Sequence, residues 1–182
     1  LLEDGRLPID GLDDKGRTPL YSAASKGQLG AVEALVERGA DVSIAETYGR
    51  DGLYEAAALN HVDVVRYLLD LVDPRHSIAK GGFSCLHIAA QYNATAALET
   101  LLDDGRLSIN GPTDDAATPL YLAAHAGSYQ AVEILLSRGA NASIADKYGV
   151  TPAGVASANG HHEVAALLND AVRDPASEAF CN

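Results

Sequence analysis

The chain has 182 residues, 47% of them hydrophobic, and a formal charge of -12 from 13 Lys and Arg against 25 Asp and Glu. That hydrophobic share belongs to a folded domain, and so strong a negative balance disfavours a phosphate backbone or an anionic lipid surface as partner while favouring a basic one. No apolar run reaches the length of a bilayer span, no charged segment precedes an apolar one at the start, and Cys85 and Cys181 lie far apart in unlike settings. The expectation is an intracellular protein, cytoplasmic or nuclear, with no membrane or nucleic-acid contact and no disulfide framework.

Along the chain the same short word keeps returning. Leu1 opens LLEDGRLPIDG, which is echoed by LLDDGRLSING from Leu101. Thr18 begins TPLYSAASKG, Asp51 begins DGLYEAAALN, Ser84 begins SCLHIAAQYN, Thr118 begins TPLYLAAHAG and Thr151 begins TPAGVASANG, at spacings of 33, 33, 34 and 33 residues. Each word is followed by a second apolar stretch: AVEALVERG from Ala31, DVVRYLLDL from Asp63, AALETLLDDG from Ala96, AVEILLSRG from Ala131 and EVAALLND from Glu163. The pattern predicts two short amphipathic helices per repeat, with Val32, Leu35 and Val36 and their counterparts forming one apolar stripe on each second helix.

Local chemistry supports these boundaries. Thr18, Thr118 and Thr151 suit an N-cap, where the hydroxyl takes an orphan amide, and the Pro that follows suits the first helical position, where its missing N–H costs nothing. Ala23-Ala24, Ala56-Ala57, Ala89-Ala90 and Ala123-Ala124 form helix readily and are small enough to let neighbouring repeats approach closely. Gly27, Gly127 and Gly160 end the first helix where a left-handed residue is wanted, and Asn60 and Asn93 replace them in the other two repeats.

The stretch TPLYSAASKGQLGAVEALVERGADVSIA resembles the ankyrin repeat, T-P-L-H-x-A-A-x-x-G followed by V-x-x-L-L-x-x-G-A-D-V, and the resemblance runs from residue 1 to about 170. It implies an all-α solenoid of stacked helix-turn-helix units with projecting β-hairpin finger loops, each repeat stabilised by its neighbours rather than by a core of its own. The expected division is a partial repeat over 1–17, repeats over 18–50, 51–83, 84–117 and 118–150, a C-terminal capping repeat over 151–172 and a tail over 173–182. The start inside a repeat, with no Met anywhere in the chain, reads as a fragment of a longer array. The fingers after Gly39 and Gly139 should be alike, whereas LDLVDPRHSIAKGGF, with Pro74, predicts a differently shaped one. Tyr21, Tyr54 and Tyr121 occupy the usual His slot, so their rings should pack at the helix start with each hydroxyl on a local partner.

Residues suited to chemistry are few, and each has a structural role available. His161-His162 diverge by about a hundred degrees on a helix, unlike an i, i+4 zinc pair. His87 stands in the structural T-P-L-H position, Cys85 fills the Pro slot beside it, and Asp13-Asp14, Asp103-Asp104 and Asp114-Asp115 read as turn residues. No glycine-rich phosphate loop precedes a helix. The sequons at Asn93 and Asn141 would matter only in a secreted chain. The expectation is a non-catalytic module with no cofactor or metal.

The resemblance instead implies a concave face made of finger tips and the exposed side of the first helices. Position by position this assigns partner contact to Lys15, Arg17 and Lys26; to Tyr48, Arg50 and Leu59; to Phe83, Gln91 and Tyr92; to Asp114, Asp115 and His125; and to Lys147 and Tyr148. Phe83 and Tyr92, which have no hundred-residue echo, are the expected anchors, and Asp114 and Asp115 would meet a basic group. The expected function is a monomeric groove for a protein or peptide, with a regulatory or sensor segment of a larger multidomain protein as the alternative.

Overall fold

Each first helix begins where a short polar side chain takes an amide that the helix itself cannot satisfy. Thr18 Oγ1 accepts from Tyr21 N at 3.0 Å, Thr118 Oγ1 from Tyr121 N at 3.2 Å, Thr151 Oγ1 from Gly154 N at 3.2 Å and Asp51 Oδ1 from Tyr54 N at 2.8 Å. In the remaining repeat Ser84 N donates to His87 Nδ1 at 3.2 Å, and that side chain lies 2.7 Å from Ser84 Oγ. The computed structural model describes residues 8–173. Over that span the chain forms α1 (Pro19–Ser25), α2 (Leu29–Glu37), α3 (Gly52–Ala58), α4 (Val62–Leu69), β1 (Ile78–Ala79), β2 (Phe83–Ser84), α5 (Cys85–Gln91), α6 (Thr95–Asp104), α7 (Pro119–Ala126), α8 (Tyr129–Ser137), α9 (Pro152–Ala158) and α10 (His162–Arg173).

The helices form two layers. α1, α3, α5, α7 and α9 pack in sequence as one row, α2, α4, α6, α8 and α10 as the other, and each first helix packs on its own second helix. The alanine pairs lie at the seam: Ala24, Ala56, Ala57, Ala89, Ala90, Ala123, Ala124 and Ala156 are wholly buried. Between the rows Val32, Val65, Leu68, Leu98, Leu101, Leu135 and Leu168 close the interior. A leucine so buried contributes about 1.5–3 kcal/mol, and here that burial is supplied mainly by adjoining repeats. α10 runs through Arg173, past the expected end of its repeat at 172, because Ala171, Val172 and Arg173 continue the helical pattern. The segments 1–7 and 174–182, including the Leu1 echo and Cys181, lie outside the described residues. The echo is nonetheless visible at Asp10, whose carboxylate accepts from Asp41 N as Asn110 accepts from Asn141 N.

The fingers differ from the expected set of hairpins. Only the finger after α4 carries a strand pair among the described residues, with Ile78 opposite Ser84 and Ala79 opposite Phe83. The others close as turns in which a side-chain oxygen replaces the second rung: Asp13 accepts from Lys15 N and Arg17 N, Glu46 from Tyr48 N and Arg50 N, Thr113 Oγ1 from Ala117 N, and Asp146 from Tyr148 N and Val150 N. Ala79 stands at that position in the third finger and offers no acceptor, so a backbone ladder closes the tip instead. Asp103 and Asp104 lie on the last turn of α6 rather than in a free turn.

Gly27 and Gly127 differ from Asn60 and Asn93 for a reason that lies in the next repeat. All four are left-handed, with φ of 65°, 72°, 59° and 54°. A Cβ on Gly27 would stand 2.5 Å from His61 Nδ1, and one on Gly127 2.5 Å from His161 Nδ1. Where Asn is present the following repeat carries Ala94 or Ser128 instead of that His, leaving room for the side chain. Asn60 Oδ1 then accepts from Ala97 N at 2.9 Å and Asn93 Oδ1 from Ala131 N at 2.9 Å, so each Asn caps the next second helix. His61 instead places Nε2 3.0 Å from Ser25 O.

Two stability effects follow from these placements. Gly27→Asn keeps a residue that tolerates the left-handed region yet drives its side chain into His61, so chemical denaturation should show a loss of about 2 kcal/mol. In a His61→Ala background the same substitution should cost less than half as much; equal losses in both backgrounds would show that the ring is not the obstacle. Ala116 has φ 60° at the tip position where Gly16, Gly49, Gly82 and Gly149 are also left-handed. Its conformation costs about 1–2 kcal/mol, against about 0.5–1 kcal/mol for the extra freedom of an unfolded glycine. Ala116→Gly should therefore raise unfolding free energy by about 0.5 kcal/mol, and a decrease would show that the site is unstrained.

Candidate partner-binding surface

The finger tips are tied edge to edge by main-chain bonds. Thr47 N donates to Lys15 O at 3.4 Å, Lys80 N to Tyr48 O at 2.8 Å, Asp114 N to Gly81 O at 2.9 Å and Lys147 N to Asp115 O at 2.9 Å. A Cβ on Gly82 would lie 2.9 Å from Asp114 N, so the third and fourth fingers approach too closely for a side chain there. The tip residues thus stand at fixed spacing on a continuous support, which lowers the ordering cost of a docked partner.

The tyrosines separate into packed and presented sets. Tyr21 and Tyr54 are buried and Tyr121 is half-buried. Tyr121 donates its hydroxyl to Asp146 Oδ2 at 2.9 Å, and burial followed by that carboxylate pushes its pKa up to about 12. Burial raises the Tyr21 phenol as well, with the charge of Glu55 in the next repeat adding to it. The expected local partner thus exists for Tyr121. Tyr48, Tyr92 and Tyr148, by contrast, are 62%, 65% and 77% exposed. The Tyr48 ring lies beside two cations. Arg50 Cζ and Lys80 Nζ each lie 5.6 Å from its centroid, while Lys147 Nζ is 5.0 Å from that of Tyr148.

The two expected anchors occupy unlike environments. Phe83 is half-buried against the core in β2, its ring edge-on to His87 with centroids 6.3 Å apart. Tyr92 is the C-cap of α5 and projects freely, beside the half-buried Gln91. Leu59, Lys26 and His125 are exposed at the ends of α3, α1 and α7. Arg17 is held by Asp13 at 2.6 Å, and the hydrogen bonds from Arg17 bring the Asp13 carboxyl down to about 2. Arg50 bonds Glu46 at 2.9 Å; burial pushes Glu46 up, but that bond and two backbone amides leave it below the usual carboxylate range. Lys147 pairs with Asp115 at 2.6 Å, while Asp114 and Lys15 are exposed and outside any ion pair among the described residues.

Charge is distributed unevenly between the layers. The second-helix row carries Glu33, Glu37, Asp63, Glu99, Asp103, Asp104, Glu133, Glu163 and Asp170 against Arg66 and Arg173. The first three tips carry Asp13, Asp14 and Glu46 against Lys15, Arg17, Arg50 and Lys80. Lys80 was not among the expected contacts, although it holds the register of Asp14, Thr47, Asp114 and Lys147. The departure of its finger from the common pattern obscured that alignment. Leu12 and Ile78, 61% and 47% exposed one residue before their turns, are likewise surface residues outside the expected set.

These features define a stacked-repeat interaction domain, and the comparisons agree. Family models for ankyrin repeats match residues 15–46, 43–111 and 86–177. The chain belongs to the ankyrin-repeat family, whose repeats are protein-interaction modules. It is similar to human B-cell lymphoma 3 protein, at 29% identity over 148 residues covering 77% of this chain and 33% of that protein. It resembles potassium channel AKT2/3 of Arabidopsis thaliana at 29% over 136 residues, 75% of this chain and 17% of the channel. An L-asparaginase of Dirofilaria immitis is 31% identical over 157 residues, 86% of this chain and 26% of that protein. The chain thus spans about a third or less of these relatives. None of the helices among the described residues is long and apolar enough to cross a membrane.

Two of the groups suited to chemistry, His87 and Cys85, are engaged inside the stack. Burial lowers the His87 pKa, and its Nε2 donates to Ala117 O at 3.2 Å, linking α5 to the next finger as a neutral imidazole. Cys85 is buried, its Sγ donating to Ser77 Oγ at 3.1 Å, and burial followed by the charge of Asp51 pushes the thiol up to about 12. Ser77 Oγ in turn donates to Asp51 Oδ1 at 2.6 Å. Burial raises the Asp51 pKa despite those bonds. A raised carboxyl pKa favours the neutral fold, so its contribution is complete below about pH 4 and is lost as pH rises through the folded value. Asp51→Asn keeps an N-cap acceptor without the charge. The denaturation free energy of the native chain minus that of Asp51→Asn should therefore fall as pH rises above about 4; a rise with pH there would show that the charged carboxylate is the stabilising form.

Proposed function

We propose that the finger tips and the exposed ends of the first helices form one preformed surface for a segment of a partner protein, with no chemistry of its own. The surface comprises Lys15, Arg17 and Lys26, Tyr48, Arg50 and Leu59, Phe83, Gln91 and Tyr92, Asp114, Asp115 and His125, and Lys147 and Tyr148. Tyr92 carries the reading: a large amphipathic ring at mid-array, 65% exposed, whose fold role is confined to the α5 C-cap backbone. Such rings immobilise cheaply and dominate the energetics of interfaces. Phe83 supports the surface from beneath. On this reading the domain acts as a monomer, and Asp114 and Asp115 take a basic group at the rim.

A second reading is favoured by the small share of its relatives that the chain spans: the same surface would dock another part of a larger multidomain protein. Both require the surface to bind protein. Selection of a random dodecapeptide library on the 182-residue chain tests this directly. Tyr92→Ala should weaken the selected peptides at least tenfold, about 1.4 kcal/mol or more, while leaving thermal unfolding unchanged. Phe83→Ala should lower the melting temperature. Peptides bound equally well by Tyr92→Ala would remove that ring as the anchor.

A further inference from the structure

We propose that the N-terminal three fingers dock an acidic segment of a partner protein, its carboxylates meeting Lys15 and Lys80 and its apolar side chains covering Tyr48, Leu12 and Ile78. This rests on the concave surface being the binding face, and it adds the chemistry of the occupant. Lys15 and Lys80 are exposed on neighbouring tips and stand outside every ion pair among the described residues. Lys80 and Arg50 flank an exposed Tyr48 ring at 5.6 Å, and Lys80 N donates to Tyr48 O at 2.8 Å, so the backbone that carries Lys80 is held against that of the ring. A neutral segment covering these ammonium groups would strip their water without replacement, and a basic one would add repulsion. The nearby carboxylates are already engaged: Asp13 is held by Arg17 and Glu46 by Arg50, while Glu55 lies 3.9 Å from Arg50. Among the described residues, Asp14 and Asp114, the latter at the edge of the third finger, remain free to oppose an acidic segment, against the four cations of the three tips.

The charge of -12 does not override this local arrangement. Much of the excess lies on the second-helix row, about 10 Å or more behind the first, and the Debye length at physiological salt is about 8 Å. The back of the domain slows the approach of an acidic partner, whereas the tips decide what is held on contact. Added salt should consequently weaken binding far less than it would for a basic partner of an acidic domain.

The dodecapeptide selection supplies the test, followed by titration of fluorescein-labelled synthetic copies of the recovered peptides. The expected result is enrichment of Asp and Glu beside apolar residues. The double variant Lys15→Glu/Lys80→Glu should bind at least tenfold more weakly with an unchanged circular-dichroism melt, and Arg66→Glu on α4 should stay within twofold of the native chain. Any recovered peptide that the double lysine variant binds within twofold overturns the acidic-segment proposal. If that peptide is nevertheless lost with Tyr92→Ala, the concave-surface reading survives. Peptides insensitive to both sets of substitutions, or no recovered peptide at all, overturn both.

Discussion

The closeness with which one repeat approaches the next is the constraint on which the rest depends. Neither short helix of a repeat can hide its apolar side alone, so the wholly buried alanines at the seam serve the array as a core serves a globular domain. Fixed spacing at the seam aligns the fingers, and aligned fingers bring Tyr48 O to Lys80 N and Gly81 O to Asp114 N. Presentation of Tyr48, Lys80 and Tyr92 at set intervals is therefore a consequence of packing at the seam, away from the surface itself. A bulky residue at Ala56 or Ala89 would disturb the tip spacing without touching the surface.

The alternation of Gly and Asn shows how a repeat protein distributes a constraint between neighbours. His61 and His161 fill the space above Gly27 and Gly127, and that filling forbids a Cβ. Where the next repeat carries Ala94 or Ser128, Asn60 and Asn93 occupy the volume and supply the helix cap that the ring would otherwise displace. Both solutions hold the chain in the left-handed region, yet they use different partners. The unit of consistency is the junction between repeats, so a substitution judged by its own repeat alone is misjudged.

Much of this was legible from the residues. Thr-Pro predicts the helix starts, the Ala pairs predict the seam, and the third finger departs from the pattern just where the words LDLVDPRHSIAKGGF depart from it. What escaped depends on geometry across repeats: the pairing of Asn60 with Ala97, the Asp51, Ser77 and Cys85 chain, and the strand pair in the finger where Ala79 replaces a side-chain acceptor. At the surface, side-chain type alone could not separate Phe83, which turns edge-on to His87, from Tyr92, which projects. Tyr48 and Tyr121 show the same limit, one ring exposed between cations and the other bonded to Asp146.

Net charge is informative about approach and uninformative about contact, and this domain separates the two. A uniform sphere of the same charge would select a basic partner at every point of its surface. The fold instead places carboxylates on the second helices, where they meet solvent, and closes the turns with Asp13 and Glu46, where backbone amides and arginines absorb their charge. Using acidic residues as turn closers leaves the cations between them to define the exposed tip. The turn chemistry that builds the fingers thereby also sets the local sign of the surface they present, and the C-terminal fingers, with Asp114 exposed and Lys147 held by Asp115, present the opposite sign. On the proposed reading, an extended partner lying along all the tips would need its acidic end over the first fingers and its basic end over the last, so the proposed surface would have a direction.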